Sequence, residues 1–105
     1  MTHKETTNRA KEFIERHFRE NLTLEQIASQ VFMSSFHFQR RFKKETGETP
    51  KAYLTRLRLE WACHMLFVDE EKSLYEIALD NGFGSQSVFA RAFGEGRHMK
   101  TEKHV

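Results

Sequence analysis

The sequence has one cysteine, one proline and no long apolar run. The single thiol, Cys63, excludes an internal disulfide and a zinc finger built on two cysteines and two histidines. No run approaches the roughly 18 apolar residues that a membrane-spanning helix needs. The first residues also lack the apolar segment of a secretory signal. We therefore expect a cytoplasmic protein without a disulfide framework or a membrane partner.

Signals for catalysis and for metal binding are scarce as well. The sequence contains no glycine-rich phosphate loop and no Gly-X-Ser-X-Gly nucleophile turn. Its six histidines lack the compact spacing that metal ligands need. We expect no catalytic residues, no metal site and no cofactor.

Charge is unevenly distributed along a chain whose formal net charge is only +2. Between Ser34 and Arg58 there are seven basic residues and two acidic ones. Between Asp69 and Asp80 five acidic residues accompany one lysine. A basic segment beside an acidic one suggests a surface for a polyanion. An ordinary solvated helix face explains the same composition about as well.

Helical periodicity dominates the sequence, and no segment alternates as a half-buried strand would. Residue types that cap helices recur along the chain, and Pro50 suits the first position of a helix. The pattern predicts six helices, with their caps, over about 7–19, 23–30, 34–45, 50–67, 73–80 and 85–93. The long fourth helix carries one apolar stripe, made of Tyr53, Leu54, Leu57, Trp61, Met65 and Leu66. We therefore expect Trp61 to lie in the core.

Two segments of the chain, 23–42 and 73–93, repeat each other. They align at a shift of 50 before a turn and 51 after it, which corresponds to one inserted residue. The matched pairs are Leu24 with Leu74, Ile27 with Ile77, Ala28 with Ala78, Ser34 with Ser85, Phe38 with Phe89, Arg40 with Arg91 and Phe42 with Phe93. Each copy is a capped short helix, a turn and a second capped helix, which is the plan of a helix-turn-helix unit.

The repeat predicts an all-α fold in which two helix-turn-helix subdomains are joined by a long linker helix. We expect one domain over 1–93, with a first unit over about 7–47, a linker helix over about 50–67, a second unit over about 73–93 and a flexible tail over 94–105. A linker of about 17 residues is roughly 26 Å long. With the width of each unit added, this length suits two recognition helices on major-groove turns about 34 Å apart.

The outer face of each second helix carries side chains that suit DNA. The candidate DNA-binding residues are Phe36, Gln39, Arg40 and Lys43 in the first copy, and Gln86, Ser87, Val88 and Arg91 in the second. Gln and Arg read adenine and guanine edges in the major groove, and Phe or Val can touch a thymine methyl. A single helical hairpin with such residues is more often structural than functional. Two copies with arginine at the matched outer position favour DNA binding.

From residue 10 to residue 93 the chain resembles the DNA-binding domain of the AraC/XylS transcription activators of bacteria. The resemblance is carried by residues 24–28, 38–47, 50–54, 56–59, 77–78, 82–83 and 89–93, with Ser34, Ala62 and Ser87. It implies a transcription regulator, most simply an activator, that binds asymmetric sites in double-stranded promoter DNA as a monomer and contacts RNA polymerase. By position, it places Phe36, Gln39 and Arg40 at the base-reading places of the first recognition helix, and Gln86, Ser87, Val88 and Arg91 at those of the second.

Two departures from the family's pattern lead to further expectations. Phe32 stands where the first turn often has glycine. Because a bulky residue disfavours positive φ, we expect a turn of different construction. Residues 94–105 do not match the proline and terminal helix with which the family continues. An alternative function is therefore an interaction protein, an adaptor or antagonist of transcription, with weakened DNA binding.

Overall fold

The computed structural model describes residues 2–85 and 87–94. Its helices are α1 (His3–His17), α2 (Leu24–Ser29), α3 (Ser35–Thr46), α4 (Pro50–Val68) and α5 (Leu74–Asp80). Residues 87–94, here called α6, are also helical. These described residues contain no strand, which confirms the predicted all-α fold.

None of the helices in the described part of the chain is both long and apolar enough to cross a membrane.

Helix starts follow the capping side chains. The hydroxyl of Thr2 accepts a hydrogen bond from the Glu5 N–H at 3.1 Å, so α1 begins at His3 rather than near Thr7. Ser34 caps α3 and Ser73 caps α5, as predicted. Such a cap satisfies one of the N–H groups that the first turn of a helix leaves without a partner.

Proline opens the longest helix. Pro50 is the first residue of α4, where its missing N–H costs nothing and its fixed φ suits the helix. The hydroxyl of Thr49, just before it, accepts a hydrogen bond from the Ala52 N–H at 3.1 Å. The prediction that Pro50 starts a helix is therefore confirmed.

The chain divides into two compact units, the first ending at Leu57 and the second starting at Arg58. In the first, α1, α2, α3 and the beginning of α4 surround one apolar core. Its buried members are Ala10, Ile14, Phe18, Ile27, Ala28, Val31, Phe38, Phe42, Tyr53 and Leu54. In the second, a smaller core is built from Ala62, Ile77, Ala78, Phe83 and Phe89.

The predicted apolar stripe of α4 is only partly correct. Tyr53 and Leu54 are buried in the first core, but Trp61 is 43% exposed, so its predicted place in the core is wrong. Beyond residue 57 the helix turns a different set of side chains inward, with Ala62 buried and Leu59 and Met65 packed against the second core. One stripe fails because α4 contributes to two cores.

The structure tests neither the predicted tail nor one candidate residue. The tail over 94–105 lies outside the described residues except for Gly94. Gln86 lies outside them too.

Candidate nucleic-acid interface

Helix α2 and the turn after it set the position of α3. Thr23 and Gln26 form a reciprocal capping box: the Thr23 hydroxyl accepts from the Gln26 N–H at 3.1 Å, and the Gln26 carboxamide oxygen accepts from the Thr23 N–H at 2.9 Å. This arrangement satisfies two backbone donors at the start of α2. Ile27 and Ala28 on the inward face are buried. The small side chain of Ala28 allows close packing in the core of this unit.

The turn after α2 closes with a pair of backbone hydrogen bonds. The Phe32 N–H donates to the Ser29 carbonyl and the Met33 N–H donates to the Ala28 carbonyl, both at 3.2 Å. Phe32 itself is left-handed, with φ of 58°. Together with the left-handed Phe32, these two bonds form a Schellman motif. The expectation of a differently built turn is therefore wrong, because the backbone bonds hold Phe32 in the conformation that glycine usually takes.

Helix α3 is fixed by its cap and by its inner side. The Ser34 hydroxyl accepts from the His37 N–H at 3.2 Å. Phe38 and Phe42 are each 1% exposed, and their ring centroids lie 5.6 Å apart. The Phe42 ring meets the Tyr53 ring edge-on at 5.7 Å. Gly47 ends the helix in the left-handed conformation, with φ of 85°, as predicted for a C-terminal glycine.

Opposite these buried rings, α3 presents four of the candidate residues on one side of the helix. We call this set the α3 face; its members are Phe36, Gln39, Arg40 and Lys43, and all four are exposed. Their spacing of 0, 3, 4 and 7 residues places them along one stripe. Within residues 2–85 and 87–94, neither Arg40 nor Lys43 forms an ion pair. The positive charge of this stripe is therefore available to an external anion.

The Arg40 guanidinium lies over the ring of Phe36, with its Cζ 5.4 Å from the ring centroid. Phe36 is 65% exposed, so the ring is presented to solvent rather than to the core. The two side chains come from consecutive turns of α3 and form one exposed group.

Two further exposed residues of α3 that can face an anion, His37 and Lys44, are not among the candidates chosen from the sequence. Lys44 lies four residues after Arg40, and His37 lies beside Phe36, with ring centroids 5.8 Å apart. The spacing of Lys44 from Arg40 is a signal that could have identified it, because residues four apart are neighbours on a helix.

A hydrogen bond joins α1 to α4 on the buried side of α3. The Tyr53 hydroxyl donates to a Glu15 carboxylate oxygen at 2.9 Å. Burial raises the pKa of Tyr53 to about 12, and the hydrogen bond to Glu15 adds to the effect. Arg56 lies over the same ring and donates to the Glu48 carboxylate, with its closest approach at 2.6 Å. These contacts belong to the first unit and fix the position of Tyr53, against which the Phe42 ring of α3 packs.

The second unit repeats the same turn with different residues. Ser73 and Glu76 form the capping box of α5. After α5, the Gly82 N–H donates to the Leu79 carbonyl at 3.2 Å and the Phe83 N–H donates to the Ala78 carbonyl at 3.0 Å. Gly82 is left-handed, with φ of 90°. The two turns therefore share this pair of backbone hydrogen bonds at the positions that the repeat matches.

Helix α6 carries the candidates of the second unit. The Ser85 hydroxyl accepts from the Val88 N–H at 3.2 Å, which confirms the predicted cap. Phe89 is buried, and its ring lies 5.1 Å from that of Phe83. The outer side exposes Ser87, Val88 and Arg91. Nothing is described for Gln86, the fourth candidate of this unit.

In the described part of the chain no three His, Cys, Asp or Glu side chains are grouped as metal ligands. The outer faces of α3 and α6 both carry exposed polar and basic side chains, and each helix belongs to a helix-turn-helix unit. This arrangement suits contact with a nucleic acid.

Comparison with known proteins agrees with this geometry. Residues 27–100 match the family model described as a helix-turn-helix domain. A solved regulator from Chromobacterium violaceum, described as containing an AraC-type DNA-binding domain, superposes with a TM-score of 0.80 at 28% identity, over 90% of this chain and 84% of that one. This chain belongs to the AraC-type helix-turn-helix family. The family consists of DNA-binding transcription regulators rather than enzymes.

Two other relatives bear on function. The DNA-binding domain of AdpA, a global transcriptional factor solved in complex with a target DNA, has a TM-score of 0.77 at 28% identity, over 83% of this chain and 78% of that one. The transcriptional activator RhaS of Klebsiella pneumoniae is 37% identical over 81 residues, which are 77% of this chain and 29% of RhaS. The chain spans about a third or less of the length of the curated relatives that it matches first.

Proposed function

We propose that this chain binds double-stranded promoter DNA with sequence specificity, inserting α3 and α6 into adjacent turns of the major groove. The observation that carries the proposal is the α3 face, in which four exposed side chains lie opposite the buried Phe38 and Phe42 of the same helix. The major groove of B-DNA is wide enough to admit an α-helix. The helix N-terminus usually supplies the base contacts, and Phe36, Gln39 and Arg40 lie there.

In this proposal the residues of α3 have separate roles. Arg40 donates two hydrogen bonds to a guanine, and Gln39 pairs with an adenine. Lys43, one turn further along, supports these contacts from the same stripe. In the second unit Ser87, Val88 and Arg91 contact bases or the backbone beside them, together with Gln86.

We further propose that the protein is an activator that binds as a monomer and contacts RNA polymerase. The activator role is supported by the similarity to RhaS, which is named a transcriptional activator. Monomeric binding is supported by the presence of two helix-turn-helix units in one chain, because a two-unit chain can contact two half-sites alone. The complex of AdpA with its target DNA supports the DNA partner.

The experiment that tests DNA binding is selection from random duplexes with the purified chain, followed by anisotropy titration of the enriched sequences at two salt concentrations. We expect an asymmetric site with two boxes about one helical turn apart. A single short box would mean that only α3 specifies sequence. Weak binding with no enriched sequence and a steep salt dependence would overturn specific recognition, because that behaviour reflects phosphate attraction alone.

Single variants then separate base contacts from phosphate contacts. Arg40→Ala should cost about 1–3 kcal/mol on the selected site and relax one base position. Lys44→Ala, which removes an exposed charge from the same helix, is the matched control and should weaken all sequences alike. Arg91→Ala tests α6 in the same way. If Arg40→Ala weakens all sequences equally, Arg40 is not a base contact.

A second candidate function is that of an interaction protein in transcription, either an adaptor or an antagonist. Exposed apolar side chains on the second unit favour it: Phe67 is 85% exposed, Val68 63% and Tyr75 53%. Scattered exposed apolar residues are common, whereas several in one unit can mark a protein contact. Failure of the selection to enrich any sequence would favour this second function.

A further inference from the structure

The pairing of Phe36 with Arg40 has a consequence for the sequence that α3 reads. The Arg40 guanidinium lies over the Phe36 ring at 5.4 Å, and the ring is 65% exposed. An exposed ring of this size contributes little to the core, which Phe38 and Phe42 fill from the other side of the helix. Its position against Arg40 therefore needs an explanation other than packing.

The contact restricts how Arg40 can reach a base. A guanidinium attracted to the face of an aromatic ring keeps the N–H groups that point away from the ring free to donate. Two parallel hydrogen bonds from that edge to O6 and N7 of guanine require the guanidinium to lie near the plane of the base. The Phe36 ring, whose centroid is 5.4 Å from the Arg40 Cζ, then lies within reach of a base pair next to that guanine.

The DNA group nearest to the Phe36 ring is then the base pair adjacent to that guanine. Successive base pairs are about 3.4 Å apart along the helix axis. In the major groove the apolar group at the edge of a base pair is the C5 methyl of thymine. A phenyl ring held beside a guanine-bound arginine is thus placed to meet the methyl group of a neighbouring thymine.

We propose that Phe36 and Arg40 read two adjacent base pairs as one unit, a guanine through Arg40 and the methyl group of a neighbouring thymine through Phe36. This inference rests on the proposed function and deepens it. The unit recognised is a methylated pyrimidine beside a guanine, so 5-methylcytosine can take the place of thymine in it.

The test uses the full chain and duplexes that carry the site obtained by selection. Each thymine beside the specified guanine is replaced by deoxyuridine, which keeps every hydrogen-bonding group and removes only the methyl. We expect about a fourfold loss of affinity at one such thymine, which is the size expected for one buried methyl group. Replacing that thymine–adenine pair with cytosine–guanine should weaken binding, and 5-methylcytosine should regain about the same factor.

Two variants assign the effect to the ring. Phe36→Ala should bind the thymine and deoxyuridine duplexes with equal affinity while keeping its preference for guanine. Phe32→Ala is the matched control: it removes a second exposed phenyl, 82% exposed, that is not on α3. It should leave the ratio between the two duplexes unchanged.

The outcomes separate this inference from the function on which it rests. Sequence-specific binding with equal affinity for thymine and deoxyuridine at every position overturns the two-base unit and leaves DNA recognition standing. The same conclusion follows if the discrimination survives in Phe36→Ala or is lost in Phe32→Ala. Absence of any sequence-specific complex overturns both.

Discussion

Phe32 and Gly82 occupy equivalent positions in two similar turns, and both have the left-handed backbone conformation. Their φ values are 58° and 90°, and in each turn the following residue donates to the carbonyl of an alanine, Ala28 or Ala78. Crowding at the β-carbon makes the left-handed conformation cost roughly 1–2 kcal/mol for a residue other than glycine. Phe32 is 82% exposed, so burial of its ring offsets little of this cost. The first turn is strained where the second is not.

Relieving that strain should stabilise the first unit. We expect Phe32→Gly to raise the free energy of unfolding by about 0.5–1 kcal/mol, the strain released less the extra chain entropy of glycine. Urea denaturation followed by circular dichroism measures the change. Gly82→Ala is the reverse control: it adds a β-carbon at the left-handed position of the second turn and should lower the free energy of unfolding by a similar amount. A loss of stability in Phe32→Gly would show that the contact between Phe32 and Arg9, 5.9 Å from guanidinium to ring, matters more than the strain.

The cap of α3 allows stability and DNA affinity to be separated. Ser34→Ala removes the acceptor of the His37 N–H and should cost about 1 kcal/mol of stability. Ser34→Asp restores the acceptor and should fold as stably as the wild type. If α3 enters the groove, however, the new charge lies near phosphates and should lower affinity for every sequence.

Ser73→Asp provides the comparison for this prediction, because Ser73 caps α5, which carries none of the proposed contacts. Its affinity for DNA should stay near that of the wild type. Equal losses in the two aspartate variants, measured by anisotropy, would contradict the placement of α3 in the groove.

The hydrogen bond of Tyr53 predicts a stability change in alkaline solution. Its pKa is raised to about 12, from the ordinary value of 10.0, by burial and by Glu15. The neutral phenol is therefore favoured in the folded state. Its contribution to stability is complete below about pH 10 and is lost as the pH rises through about 12.

Chemical shifts of the labelled Tyr53 ring should give its titration directly, and Tyr75→Phe removes the other tyrosine as a complication. Tyr53→Phe should abolish this part of the alkaline loss of stability. A Tyr53 ring that titrates near pH 10 would contradict the buried hydrogen bond.

Sequence reasoning predicted the caps and the inner residues of both units because these depend on local chemistry. Ser34 and Ser73 could be placed from the hydroxyl that caps a helix, and Phe38 and Phe89 from their spacing relative to those caps. The same local chemistry gave the wrong result at Phe32. A conformational preference of roughly 1–2 kcal/mol is overridden when two backbone hydrogen bonds and the packing on either side of a turn fix the geometry.

The α4 helix could not be predicted from one stripe for a different reason. A prediction from periodicity treats a helix as packing against one neighbour along its whole length. It therefore extends the apolar stripe that begins at Tyr53 and Leu54 as far as Trp61. Past Leu57 the neighbour is the second core, and Ala62 rather than Trp61 faces it. The repeat and the resemblance to the family placed the candidates on the outer faces of α3 and α6. The described ones are exposed, but the sequence could not show the contact between Phe36 and Arg40.

Asn81 offers a prediction for the second unit. The residue is fully buried, and its amide donates to the Ile77 carbonyl at 2.8 Å and approaches the Met65 sulfur at 3.2 Å. Asn81→Asp sets a carboxylate against the Ile77 carbonyl in place of that donor. We expect a loss of about 1–3 kcal/mol or more at neutral pH, because a buried charged oxygen lacks a partner there.

That loss should depend on pH in a defined direction. Burial raises the pKa of a carboxyl group above its value in the unfolded chain, so the destabilisation is present at neutral pH and shrinks as the pH falls and the group is protonated. Thermal unfolding at pH 7 and pH 4 measures it, with Asn81→Ala as the control that has no ionisable group. Equal losses at both pH values in the aspartate variant would contradict the burial of this side chain.

The unbroken course of α4 through both units affects how the protein opens. Tyr53 and Leu54 are held by the first core, and Ala62 by the second, yet one ladder of backbone hydrogen bonds joins them. Sub-global opening of the second unit would free the amides around Ala62 to exchange with solvent deuterium while those around Tyr53 stayed protected. A single helix would then carry two protection levels, and the residue at which they change would mark where the folding of one unit ends and that of the other begins.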